Sequence, residues 1–110
     1  MSKISNLRKL LTMTRDEARN ISILGRERRM LLDGVENLND FKHNIEHYAN
    51  FCDCIESQLD KTVKYYHGNP YFLDKNDIFD IQLSMHSMCD YVGYELYQNT
   101  NGFWYVRSSK

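Results

Sequence analysis

His43 and His47 stand four residues apart, the spacing that lets two imidazoles on a helix reach one metal ion. Cys54 shares their face but lies seven residues past His47, about 10 Å further along a helix axis and too far for the same ion. His86 and Cys89 are three apart and offer only two ligands. Both pairs read as solvated or packed helix positions, and no metal is expected. Cys52 and Cys54 would point about 200° apart on a helix and cannot bond to one another. Three thiols, an odd number, suit a reducing compartment, with Cys89 as a small buried apolar side chain.

Nothing local marks a nucleophile, such as a strained strand-to-helix turn or a glycine-rich oxyanion loop. The carboxylates fall on exposed helix positions rather than converging as two-metal chemistry requires. The five glycines are scattered, so no phosphate-cradling loop is present. The chain is therefore expected to be no enzyme, with no catalytic residues and no cofactor.

The arginines are the exception to this blandness. "RDEARNISILGRERR", residues 15 to 29, holds five of the seven, although the formal net charge is only −1. Residues 1–30 carry eight Lys/Arg against three Asp/Glu, or +5, and residues 31–110 carry six against twelve, or −6. On a single helix Arg8, Arg15, Arg19, Ser22, Arg26 and Arg29 fall within an arc of roughly 80°. Asp16 and Asp33 are spaced to pair with Arg19 and Arg29, whereas Arg8, Arg15 and Arg26 have no acid three or four residues away. Outside this region cations are nearly all lysine, with only Arg107 as an exception. Lysine suffices for solubility, while the planar guanidinium suits bidentate binding of carboxylate or phosphate. Arg19, Ile23, Arg26 and Met30 form an i, i+4, i+7, i+11 row that mixes guanidinium with apolar groups. Such a row fits a protein interface better than a phosphate track.

These residues must be positioned by a small domain. At 110 residues, with 42% apolar and 13% aromatic residues, the chain is expected to fold as a single domain over residues 1–110. No apolar run approaches the roughly 20 residues of a transmembrane helix. The start, "MSKISNLRKLL", lacks the apolar run of a secretory signal, so a cytoplasmic location and no membrane contact are expected. All fourteen aromatic residues lie at Phe41 or beyond. The pattern predicts a basic, aliphatic helical element over residues 1–33, with a stripe of Ile4, Leu7, Leu11, Thr14, Ala18, Ile21, Gly25, Arg28 and Leu32. Thr14 and Glu17 form a capping-box pattern that would split it in two, with one long helix as the rival reading.

A long amphipathic helix follows over 40–67, with Phe41, Ile45, Tyr48, Cys52, Ile55 and Leu59 as its stripe and Val63 and Tyr66 extending it. Asn39 or Asp40 can cap it, and "HGNP" ends it. A helix over 77–93 buries Ile78, Ile81, Met85, Met88, Cys89 and Val92. A β-hairpin over 94–107 turns at Asn101-Gly102, the pair favoured in two-residue turns. The fold class is mainly α, α+β at the margin: a helical hairpin or three-to-four-helix domain with a small C-terminal β-hairpin. Its core draws on Leu7, Leu11, Ile21, Leu32, Phe41, Ile45, Tyr48, Ile55, Leu59, Phe79, Met85, Val92 and Trp104.

A helix followed by a hairpin is also the layout of a recognition helix and wing. From Asp77 to Tyr94, however, there is no Lys or Arg and there are three Asp, so DNA phosphates would repel this helix. The leading expectation is a small non-enzymatic interaction protein, a regulator, adaptor or inhibitor. It would dock an acidic protein surface through Arg8, Arg15, Arg19, Ile23, Arg26, Arg29 and Met30, or pair with a second copy as a homodimer. The alternative is a nucleic-acid-binding protein that uses the same arginines on phosphates. Frequent Asn, Lys, Asp, Tyr and Ile suit a low-GC genome, a phage's included, and small phage proteins often bind host machinery.

Overall fold

A computed structural model describes residues 3–21, 23, 25–57 and 75–108, with the side chain of residue 26 outside the description. These residues form α1 (Lys3–Thr12), α2 (Arg15–Asn20), α3 (Gly25–Leu32), α4 (Leu38–Ser57) and α5 (Lys75–Tyr91). An antiparallel pair follows, β1 (Tyr94–Gln98) and β2 (Trp104–Ser108). The fold is mainly α with a small C-terminal hairpin, as the sequence pattern implies.

The basic first element is three short helices rather than one or two. The first break is the capping box: Thr14 Oγ1 accepts the Glu17 N–H at 3.2 Å, and the Thr14 N–H donates to Glu17 Oε1 at 3.1 Å. At the second, the N–H groups of Ile21 and Ile23 both donate to the Ala18 carbonyl, at 3.2 and 3.0 Å, and the chain leaves the helix. Each break resets the helical phase, so the expected continuous stripe is not the buried face. Leu7 and Ala18 are buried as expected, joined by Leu10, Met13, Ile23 and Leu31, while Ile4, Thr14 and Gly25 are exposed. Leu11, Ile21 and Leu32 are partly buried against this core.

Gly34, at φ 69°, turns the chain between α3 and α4. The cap of α4 is Asn37, not Asn39 or Asp40. Its Oδ1 accepts the Asp40 N–H at 3.0 Å, and Asp40 Oδ2 accepts the Glu36 N–H at 3.1 Å. Helix α4 buries Phe41, Ile45, Ala49, Cys52 and Ile55, while Tyr48 is half-buried. The expected continuation through Leu59, Val63 and Tyr66 to the "HGNP" stop lies outside the described residues. Helix α5 buries its whole expected stripe, and Gly93 at φ 79° follows its end. Phe79 does not join the core: it is 59% exposed, about 100° around the helix from Ile78.

In the hairpin the register pairs Gln98 with Trp104, so the connection has five residues and Asn101-Gly102 is not a two-residue turn. Asn99 organises it. Its carbonyl accepts the Gly102 N–H at 3.1 Å, and its Oδ1 accepts the N–H groups of Asn101 and Phe103 at 2.9 and 3.0 Å. Gly102 then takes φ 88°, the left-handed residue that longer hairpin loops use to rejoin the strand. Strand β1 packs on α5 and β2 on α4. Asp53 of α4 clamps the hairpin, its Oδ2 accepting from Trp104 Nε1 at 2.8 Å and Gln98 Nε2 at 2.7 Å. Lys3 reaches across to the other end of the hairpin, its Nζ 4.6 Å from the Tyr94 ring centroid and donating to Ser108 Oγ at 2.8 Å.

Candidate functional site

The final carbonyls of a helix have no partner within it. In this fold three helices have theirs met by side chains from elsewhere. Asn6 Nδ2 donates to the Tyr91 carbonyl of α5 at 2.7 Å. Asn44 Nδ2 donates to the carbonyls of Leu31 and Asp33, at 3.2 and 2.8 Å, at the end of α3. Arg28 Nη2 donates to the carbonyls of Leu10 and Leu11 near the end of α1, at 3.2 and 3.4 Å. The last contact ties α3 to the end of α1, with α2 between them in sequence. Residues of all three helices line a cleft of about 650 Å³.

The cleft is lined by Arg15 and Arg19 from α2, by Arg28 and Arg29 from α3, and by Asp33 and Gly34 after α3. Leu11, Ala18, Ile23 and Leu32 supply its apolar lining. Ala18 and Ile23 are buried beneath it, Leu11 and Leu32 are half-buried, and Arg15, Arg19 and Arg29 are exposed at it. Arg15 crosses from α2 towards the start of α3, its Nη2 4.0 Å from where a Cβ would stand on Gly25.

Among the described residues, Arg15, Arg19 and Arg29 form no hydrogen bond and no ion pair. Neither the Asp16–Arg19 nor the Asp33–Arg29 pairing suggested by helical spacing is made. Arg107, by contrast, bonds Glu95 Oε2 at 3.3 Å and lies over the Tyr97 ring. Arg28 differs again: Nη2 is committed to α1, and its buried Nε has no partner.

The structure thus brings together Arg15, Arg19, Ile23 and Arg29 of the sequence-chosen set and separates the others. Arg8 sits exposed on α1 outside the cleft, and Met30 is half-buried against the core. The side chain of Arg26 lies outside the described residues. Ile23 requires a correction: at 1% exposure it is part of the core beneath the cleft, not a side chain standing in a surface row. The row assumed an unbroken helix from Arg19 to Met30, and the break after α2 removes it. Sequence reasoning missed Arg28, which it assigned to an apolar stripe; a cation at an apolar position was the available signal. Leu11 and Leu32 of the expected core and Ala18 of the expected stripe also line the cleft, for which the sequence pattern holds no signal.

The metal-spaced residues fare differently. His43 and His47 are exposed on α4, and the exposed His86 packs edge-on to Trp104 at 6.4 Å. Among the described residues no three His, Cys, Asp or Glu side chains gather where an ion could sit. Burial pushes the Cys52 thiol up to about 12, with Asp53 and Glu56 adding to the effect. Burial does the same to Cys89, also to about 12, helped by Asp90 and Glu46. No helix among the described residues is long and apolar enough to cross a membrane.

Fold and site together define a small helical domain carrying an arginine-lined cleft beside its N-terminal helices. The chain matches no protein-family model, no curated protein and no solved structure.

Proposed function

We propose that this protein is a non-enzymatic interaction protein, a regulator, adaptor or inhibitor, that captures an acidic protein surface through Arg15, Arg19 and Arg29. One observation carries the reading. These three guanidinium groups line one cleft and none is paired with a described residue, although residues 31–110 carry a net −6. Exposed cations that serve only solubility need no cleft and no apolar lining. Arginine gathered around Leu11 and Leu32 has the mixed character of protein interfaces, where Arg is enriched. The nucleic-acid reading uses the same arginines on phosphates but leaves Leu11 and Leu32 without an apolar partner.

Binding of labelled poly-glutamate, duplex DNA and single-stranded RNA to the protein and to its Arg15→Glu/Arg19→Glu/Arg29→Glu variant tests the proposal. Poly-glutamate should bind the wild type and be lost in the variant, with an unchanged circular dichroism spectrum. Preferential nucleic-acid binding, with a salt slope falling about one unit per arginine removed, would replace this reading with the phosphate-binding one.

A further inference from the structure

We infer that the occupant of the cleft is a short peptide segment in which Asp or Glu carboxylates flank one large apolar side chain. The inference rests on the reading of Arg15, Arg19 and Arg29 as a partner-binding set and narrows it from an acidic surface to an inserted segment.

Three features of the cleft lead there. Its volume, about 650 Å³, lies within the roughly 300–1,000 Å³ of ligand clefts, and it is a half-open hollow with room for a short segment laid into it. Its charge is unbalanced: with Arg28 Nη2 committed to α1, Arg15, Arg19 and Arg29 remain for an incoming anion. A guanidinium grips a carboxylate with two parallel N–H···O bonds.

The apolar lining sets the third requirement. Leu11 and Leu32 are only partly buried, and a carboxylate placed on them would lose hydration with nothing in return. A Leu-, Met- or Phe-sized side chain would instead remove their remaining surface from water. Asp33 separates this ligand from a polyphosphate or nucleic acid strand. Its carboxylate also lines the cleft and can accept N–H groups, which a peptide backbone supplies and a polyphosphate does not. A peptide supplies anions, an apolar anchor and donors in one chain.

Fluorescence anisotropy with the full-length protein tests this, using a labelled peptide Gly-Glu-Glu-Leu-Asp-Glu-Gly. Two control peptides replace its Leu with Ser, or all its acids with Gln and Asn. The Leu peptide is expected to bind, and Leu to Ser to weaken it about tenfold or more, the effect of a buried leucine side chain. The Gln/Asn peptide and the Arg15→Glu/Arg19→Glu variant should show no binding. Methyl resonances of Leu11 and Leu32 should shift only with the Leu peptide. Equal affinity for the Leu and Ser peptides, both lost in the variant, would overturn the inserted segment while leaving the acidic-surface reading intact. No binding of any peptide or of poly-glutamate would overturn both. Displacement of the Leu peptide by micromolar triphosphate would overturn the peptide assignment in favour of a phosphate ligand.

Discussion

Arg28 and Arg29 are neighbours in sequence with opposite duties. Arg28 is half-buried and commits its Nη2 to the end of α1; Arg29 is exposed, unpaired among the described residues, and lines the cleft. One step of about 100° around a helix separates the structural cation from the available one. The cysteines divide in the same way. Cys54 is exposed, while Cys52 and Cys89 are buried with thiols pushed to about 12, chiefly by desolvation. Only thiolate reacts with disulfide reagents, so at pH 8 the two buried thiols are both shielded and protonated. A folded sample titrated with an aromatic disulfide reagent should release one fast equivalent per chain, from Cys54, and three in denaturant. A Cys54→Ser variant should show no fast equivalent.

At the scale of elements, what the sequence revealed depended on helix length. Helix α5 buried each apolar residue its period predicted, and α4 nearly so, because a long helix keeps its phase. The first 33 residues deceived the same reasoning. Thr14 and Glu17 announced one break, but nothing comparable announced the turn at Ile21–Ile23, and a misplaced phase put Ile23 on the surface and Arg28 in the core. The cleft was illegible for the same reason, since its lining comes from three separate helices rather than from one continuous face. The hairpin was legible as strands but not as a loop, because Asn99, not Asn101, carries the turn's side-chain bonds.

Helix α2 also carries a dependence on pH. Its packing is thin, with Ala18 its only buried residue, so its start relies on the capping box. Backbone and side-chain hydrogen bonds with Thr14 hold the Glu17 carboxyl below its ordinary value. A carboxyl with a depressed folded value stabilises above the ordinary glutamate range and loses that contribution as pH falls through the folded value. The wild type should therefore melt above a Glu17→Gln variant at neutral pH, and the difference should close below the ordinary glutamate range. A difference unchanged by acid would mean that the box adds nothing through its charge.

The whole molecule carries its charge in two halves. The +5 of residues 1–30 is folded into α1, α2 and most of α3, and the −6 belongs mainly to the remaining chain. The exposed Arg15, Arg19 and Arg29 would steer the acidic partner proposed above before contact, and exposed charges of this kind govern association more than residence. Raising salt from roughly 0.05 to 0.3 M shortens the Debye length from about 14 to about 6 Å, so the association rate of an acidic peptide should fall several-fold. The dissociation rate should change much less if the apolar anchor holds the complex. Stopped-flow measurement at several salt concentrations separates the two rates, and a salt effect confined to dissociation would contradict this picture.

Lys3 and Ser108, 105 positions apart, are joined by a hydrogen bond of 2.8 Å. The first and last described residues therefore lie side by side in the fold. A short linker could join these two ends, and the exposed hairpin tip at Asn101 could be opened instead. The helices would keep their neighbours in such a circular permutant. The strands would then meet last, held by Asp53 and the helices beneath them rather than by their own turn.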